Sequence, residues 1–178
     1  MSTEQKEKQQ ERLESVAHLA GKYLTFRLAG ETYGLEILKV QEIIRVMDVT
    51  RVPRTPEFIR GVINLRGKVV PVVDLGLKFG LGETRQQDRT CIIVVRIAQA
   101  DTQVTMGIFV DAVDEVLGIA AGEIEPSPEF GMAVDSDFIL GMGKVGDKVI
   151  MLLDAERVLT STEVGTVAAV ETASSESE

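Results

Sequence analysis

The stretch Phe58–Leu75, FIRGVINLRGKVVPVVDL, decides how the rest of the chain is read. Ile59, Gly61, Ile63 and Leu65 alternate with Arg60, Val62, Asn64 and Arg66, the period of two that arises because successive side chains of a strand point to opposite faces. Gly67 closes a tight turn that leaves Arg66 exposed. The second arm, Val69, Val70, Pro71, Val72 and Val73, is apolar on both faces and therefore belongs inside the protein. Pro71 has no N–H for a ladder and implies an edge or a bulge. Asp74 ends the run, placed to accept the free N–H groups of a short helix starting in LGLKFG.

The same device occurs a second time. Phe138, Ile139, Gly141, Lys148, Val149 and Asp154 repeat Phe58, Ile59, Gly61, Lys68, Val69 and Asp74 at a constant offset of 80. Upstream, Tyr33–Val46 (YGLEILKVQEIIRV) matches Met106–Ile119 (MGIFVDAVDEVLGI) at an offset of 73, which also places Pro53 on Pro126. YLTFRL from Tyr23 resembles IIVVRI from Ile92. Constant internal spacing marks a repeat architecture, so the order strand, strand, short helix, proline turn, hairpin, short helix is expected twice.

Around this duplication the chain divides into a body and two tails. Residues 1–22 are rich in Gln, Glu and Lys; Leu13, Val16, Ala17 and Ala20 have helical spacing but too little apolar surface to dock, and a mobile tail is expected. Residues 161–178 turn to Ser, Thr, Glu and Ala, the composition of a disordered tail. The body, 23–160, splits into halves of about 23–85 and 88–160 at the polar loop GLGETRQQDR. Each half alone is of a size at which a single core is marginal, so the two should pack on one shared core. Within the first half, Tyr23–Leu28 and Thr32–Ile37 read as a hairpin. Val40, Ile43, Ile44 and Met47 then line one face of a short helix with Lys39, Glu42 and Arg45 towards solvent. Its counterpart is a helix capped by Asp111 with Val113, Val116 and Leu117 as its apolar face.

The 178 residues are 44% hydrophobic and 26% charged, the balance of an ordinary globular protein. One cysteine allows no internal disulfide, which fits a reducing cytoplasm. The charged N-terminus lacks the apolar stretch of a secretory signal, and runs such as CIIVV and VIMLL are too short to span a bilayer. The net charge of −9 is unevenly spread: residues 23–85 hold ten Lys/Arg against seven Asp/Glu, and residues 88–160 hold five against thirteen. Opposite signs on equivalent halves suit a head-to-tail association or different partners for each half.

Catalytic constellations are missing. A nucleophile needs a base within hydrogen-bond reach, and the one histidine, His18, lies in the N-terminal tail. Cys91 opens an apolar strand, the setting of an inert thiol. One His, one Cys and no clustered carboxylates leave no metal site, and GLKFGLG lacks the strand, spacing and lysine of a phosphate loop. Two other classes remain alternatives. Asp74 and Asp154, each ending an equivalent strand, could share a proton as in a two-lobed aspartyl hydrolase; the residues that follow, Leu75-Gly76 and Ala155-Glu156, favour helix caps instead. A nucleic-acid-binding barrel would need a basic face, which only Arg45, Arg51, Arg54, Arg60 and Arg66 could supply in a chain of pI ≈ 4.8 without Trp.

YGLEILKVQEI (Tyr33–Ile43), the TP before FIRGVINLRGKVVPVVDL (Thr55–Leu75) and the weaker GIFVDAVDEVL (Gly107–Leu117) together resemble the CheW-like domain family of bacterial chemotaxis, over about Tyr23 to Leu159. The resemblance implies a mainly β fold of two five-stranded SH3-like barrels around a shared core. It implies a non-catalytic cytoplasmic adaptor without cofactor, at receptor arrays on the inner face of the membrane. Its partners would be the cytoplasmic tip of methyl-accepting chemoreceptors, the regulatory domain of the histidine kinase CheA, and other CheW-like domains in rings. Carried over position by position, receptor contacts fall on Val40, Glu42, Gly61 and Arg66, with Gly107, Val113 and Val116 added by similarity in the second half. A receptor helix would then lie near the junction of the halves. Core packing accounts equally well for Val40, Val113 and Val116, and backbone geometry for Gly61 and Gly107; Glu42 and Arg66 are the two that the fold does not need.

Overall fold

Three tight hairpins organise the chain in a computed structural model, which describes residues 2–99, 102–126, 138–159, 163 and 166–170. Strands β1 (Gly21–Leu28) and β2 (Glu31–Glu36) are joined by Ala29-Gly30, both at positive φ (51° and 82°). Strands β4 (Ile59–Leu65) and β5 (Lys68–Asp74) are joined in the same way by Arg66-Gly67 (52° and 87°). Two positive φ values in a two-residue loop are the type I′ geometry, whose twist matches that of the flanking strands. Strands β10 (Ile139–Val145) and β11 (Lys148–Leu153) turn through Gly146-Asp147, with Gly146 at φ 62°.

The duplication read in the sequence is present in the backbone. Both large hairpins carry a register shift at the same place, between Ile59 and Gly61 in one and between Ile139 and Gly141 in the other. Each is closed at its base by the same bond: Asp74 N–H donates to the Phe58 carbonyl at 2.7 Å, and Asp154 N–H to that of Phe138 at 2.9 Å.

The remaining strands are β3 (Val40–Arg45), β6 (Cys91–Gln99), β7 (Thr102–Val110), β8 (Ala112–Ile119) and β9 (Ile124–Glu125). They assemble into two sheets, of order β8-β1-β2-β11-β10-β9 and β3-β6-β7-β5-β4. The halves about 23–85 and 88–160 therefore do not each form a sheet. They exchange hairpins: β5 runs parallel to β7, with Val72 opposite Gly107, and β11 runs parallel to β2, with Leu152 opposite Gly34. The fold is mainly β, two SH3-like barrels built from intertwined halves.

Three apolar clusters follow from this exchange. One barrel is filled by Tyr23, Ile119, Ile124, Ile150 and Leu152, and the other by Ile63, Val70, Val72, Ile92, Val94 and Phe109. Between them lies the largest cluster, including Phe26, Leu35, Val73, Ile93, Val95, Met106, Ile108 and Leu153. Alternate residues of β5, β6 and β11 thus face different cores, which is why these strands are apolar on both sides. Phe26, Tyr33, Phe79 and Phe138 form a chain of ring contacts at centroid distances of 5.9, 6.3 and 4.4 Å, tying the β1–β2 hairpin to the start of the β10–β11 hairpin.

Several sequence expectations are corrected. The two short helices are strands: Ile37–Lys39 is a single 3-10 turn, after which Val40–Arg45 pairs with β6, and Ala112–Ile119 pairs with β1. VQEII and AVDEVL satisfy both periods locally, and their β-branched residues take the ladder that a neighbouring strand offers. Asp111 caps no helix; its carboxylate accepts the Ala29 N–H at 2.9 Å. Pro71 lies on β5, which has neighbours on both sides, and needs no edge because the ladder to β7 begins one residue later at Val72.

The segments expected to be mobile or disordered also hold structure. Thr3–Ala17 is a helix, α1, begun by a capping box between Ser2 and Gln5. Its contact with the barrel is concentrated at its end, where Val16 and Leu19 are buried against Tyr23 and Ile124. Near the other terminus, residues 166–170 are helical, Val167 and Val170 are buried, and Glu163 pairs with Lys78 at 2.5 Å. Residues 171–178 lie outside the described residues.

Candidate functional site

Strand β3 is one edge of the five-stranded sheet and β4 the other, and Arg66 at the tip of the β4–β5 hairpin reaches Glu42 on β3. Here the Arg66 guanidinium donates to the Glu42 carboxylate as an ion pair. Arg66 is 68% exposed in its side chain and stands at φ 52°, a left-handed position at which a non-glycine residue is uncommon. The Glu42 hydrogen bond, then its charge, raises the Arg66 pKa above its ordinary value. At the equivalent positions of the other half stand Glu115 and Gly146, so the pair has no structural counterpart.

Strand β8, equivalent to β3, is the edge of the six-stranded sheet. Val40 on β3 and Val113 on β8 are both half-buried against the central cluster. Cys91 links the far end of β3 to β8: it stands opposite Arg45 of β3, and its sulfur meets the Val113 backbone. Burial pushes the Cys91 thiol pKa up, and the Val113 contact only partly opposes this, as for an unreactive structural cysteine. The two edge strands therefore border one seam. Val116, on β8, is 48% exposed.

The structure separates the sequence-derived residues into two groups. Glu42 and Arg66 pair at the edge of β3, while Val40 and Val113 each pack on the central cluster from their own strands. Gly61 and Gly107 are buried, the one against Thr50 and Val49 and the other against Ile92 and Val72. Gly61 has φ 143° and a Cβ there would lie 2.2 Å from the Thr50 carbonyl oxygen; one on Gly107 would lie 2.7 Å from Ile92 Cγ2. Their surroundings demand glycine for backbone and packing reasons. Ile43, assigned by helical spacing to an apolar face, is instead exposed on β3; reading the same residues at period two would have placed it outward with Gln41 and Arg45.

The carboxylates considered for hydrolysis do not form a dyad. Asp74 ends β5 in one sheet and Asp154 follows β11 in the other. Asp74 is fully buried and bound on every side: Arg60 Nε donates at 3.1 Å, Thr84 N–H at 3.0 Å, Thr84 Oγ1 at 2.9 Å and Leu77 N–H at 3.3 Å. The last bond makes it the cap of α2 (Leu75–Lys78). Arg60 in turn stacks 4.1 Å from the Phe109 ring centroid and donates to the Thr84 carbonyl. This commits Arg60 to internal bonds and removes it from any basic face for nucleic acid. Asp154 accepts the Glu156 N–H at 2.9 Å and stands 3.7 Å from Arg157. Among the described residues there is no group of three or more His, Cys, Asp or Glu that could hold a metal, and no helix long and apolar enough to cross a membrane.

Comparison with known proteins agrees with this architecture. The family model described as the CheW-like domain matches residues 22–163. The chain is 40% identical over 160 residues to a chemotaxis protein CheW of Klebsiella aerogenes, covering 87% of this chain and 94% of that one. It is 37% identical to the Bacillus subtilis chemotaxis protein CheW, covering 78% and 86%. Among solved structures, the scaffolding protein TtCheW from Thermoanaerobacter tengcongensis superposes with a TM-score of 0.70 at 38% identity, covering 81% of this chain and 90% of that one. With the duplicated hairpins, the exchanged sheets and a match of this extent, the chain belongs to the CheW-like domain family of chemotaxis adaptors.

Proposed function

We propose that the chain is a non-catalytic adaptor that couples the cytoplasmic tip of chemoreceptors to the CheA histidine kinase, at receptor arrays on the inner face of the membrane. Its receptor surface is the seam between β3 and β8, centred on Glu42, Arg66, Val40, Val113 and Val116. Gly61 and Gly107 shape that surface from below. The observation that carries this reading is the Glu42–Arg66 pair: an exposed arginine held in a left-handed turn position where the other half has a glycine. The equivalent hairpin manages without an arginine there, an exposed ion pair adds only about 0.2–1 kcal/mol to stability, and a cation held at a fixed place is the makeup of an interface anchor.

The charge asymmetry supports association with a second class of partner, a CheW-like domain such as the kinase's regulatory domain. The hairpin exchange does not dilute it. Residues 40–110, which contain every strand of the five-stranded sheet, hold ten basic against seven acidic residues; residues 21–39 and 111–160 together hold six against thirteen.

The test is a thermal melt beside a titration with a receptor signalling fragment and kinase. Arg66→Ala melts within a few degrees of wild type and loses roughly thirtyfold or more in receptor affinity, as for an interface anchor, with most receptor-dependent kinase activation. Glu42→Ala behaves similarly but more mildly. Normal coupling by a folded Arg66→Ala protein overturns the assignment, and a collapsed melt makes the residue structural.

A further inference from the structure

We infer that Leu38 is a second, apolar anchor of the receptor surface, one that extends the seam onto the six-stranded barrel and is covered by the same amphipathic helix that meets Arg66. The inference rests on the receptor reading of the seam and adds a residue and a ligand geometry to it.

Leu38 is 93% exposed, far beyond the next large hydrophobic among the described residues, Val149 at 50%. A single exposed leucine needs no explanation, but this one is neither isolated nor loosely held. It stands in the 3-10 turn Ile37–Lys39, between Ile37, which packs on the central cluster, and Lys39, whose ammonium pairs with Glu156 at 2.7 Å. The turn is therefore fastened on both sides of Leu38 while Leu38 itself points into solvent. Beside it opens a groove of about 410 Å³ lined by Leu19, Tyr23, Ile37 and Leu38, with His18, Lys22 and Glu36 also along it. The groove offers an apolar side chain a place to insert against Leu38.

The occupant follows from continuity with the seam. Val40 and Glu42 lie two and four residues after Leu38 on the same run of chain, which passes directly from the turn into β3. Even at the full strand rise of about 3.3 Å per residue, Leu38 and Glu42 are no more than about 13 Å apart, and less because Leu38 stands in the 3-10 turn. A helix rising 1.5 Å per residue covers that distance in about nine residues. One helix can thus engage both ends: an acidic residue that replaces Glu42 as partner of Arg66, and an apolar residue two to three turns away that covers Leu38.

The experiment compares Leu38→Glu, Leu38→Ala and Arg66→Ala in the full chain, each titrated separately with a purified chemoreceptor signalling fragment and with the kinase, and each run in sedimentation at rising concentration. Because Leu38 makes almost no internal contact, both of its variants are expected to melt as wild type does. Leu38→Glu is expected to weaken fragment binding about tenfold, Leu38→Ala by less, and neither to change kinase affinity. Full fragment binding by Leu38→Glu alongside weakened binding by Arg66→Ala overturns the inference and leaves the receptor surface standing. Unchanged fragment binding by both variants overturns the receptor reading and this inference together. A Leu38→Glu loss confined to kinase binding, or to self-association, assigns the groove to that partner and overturns the helix.

Discussion

The β4–β5 and β10–β11 hairpins are the same object built twice, and their differences separate what the fold requires from what it leaves free. Both keep the phenylalanine carbonyl that closes the base, the register shift before the conserved-offset glycine, and an aspartate after the second strand. They part at three places. Gly61 sits at φ 143° over the Thr50 carbonyl, whereas Gly141 is not in the left-handed region and its nearest neighbour is farther away. Asp74 is buried among Arg60 and Thr84, whereas the Asp154 side chain is 24% exposed. The tip carries Arg66-Gly67 in one and Gly146-Asp147 in the other. The first two differences bear on stability and the third on the proposed receptor surface, so a duplicated chain supplies its own control.

The largest effect is expected at the glycines. Gly61→Ala places a Cβ 2.2 Å from a backbone oxygen that no side-chain rotation can move, in a conformation that alanine resists. A loss of about 3 kcal/mol or more in urea unfolding is expected. Gly141→Ala meets the Glu125 carbonyl oxygen at 3.0 Å and Ile124 Cγ2 at 3.3 Å, and about 1 kcal/mol is expected there. Equal losses in the two variants would mean that the hairpins are strained alike and break the comparison.

The aspartates come next. Asp74→Asn leaves Arg60 without its buried counter-charge, and about 2–4 kcal/mol is expected because truncating one partner of a buried pair exposes the cost of the other. Asp154→Asn alters a partly exposed turn hydrogen bond and removes a long ion pair, for about 1 kcal/mol or less. Chemical denaturation of both variants at neutral pH decides this. A small effect at Asp74 would reduce it to the helix cap anticipated from the sequence alone.

The smallest effect distinguishes the barrels at Tyr23, whose counterpart in the repeat is Ile92. The Tyr23 hydroxyl donates to the Leu19 carbonyl at 2.6 Å, fastening the end of α1, and burial, then the Glu36 charge, pushes its pKa up to about 12. Since the folded value lies above the ordinary 10.0, the neutral phenol's contribution is intact below pH 10 and is lost as pH rises towards 12. Tyr23→Phe is expected to cost about 1 kcal/mol and to flatten that alkaline decline. An unchanged decline would assign it to Tyr33, whose pKa burial also raises.

Much of the proposed receptor surface was legible because its residues stand out against the repeat: Arg66 against Gly146, with Glu42, its ion-pair partner, on a polar position. Leu38 was not, since nothing local distinguishes an exposed leucine from a core one inside YGLEILKV. The central hairpin was equally clear, as its alternation, turn glycine and terminal aspartate all act within a few residues. The strands β3 and β8 were read as helices because VQEIIRV and AVDEVLGI place apolar residues at spacings compatible with both periods.

The sequence by itself determined the duplication, the hairpins, the Asp74 cap and the charge asymmetry, since each depends on residues close together or at a fixed offset. Tertiary structure alone decided that β3 and β8 are strands and that each half lends its large hairpin to the other's sheet. The physical reason is that strands such as VVPVV and VIMLL are apolar on both faces and indifferent to which neighbour supplies their ladder. Choosing β7 for β5 and β2 for β11 buries Val73 and Leu153 in one central cluster while Val72 and Leu152 fill separate barrels, an outcome that exists only once all the strands are in place.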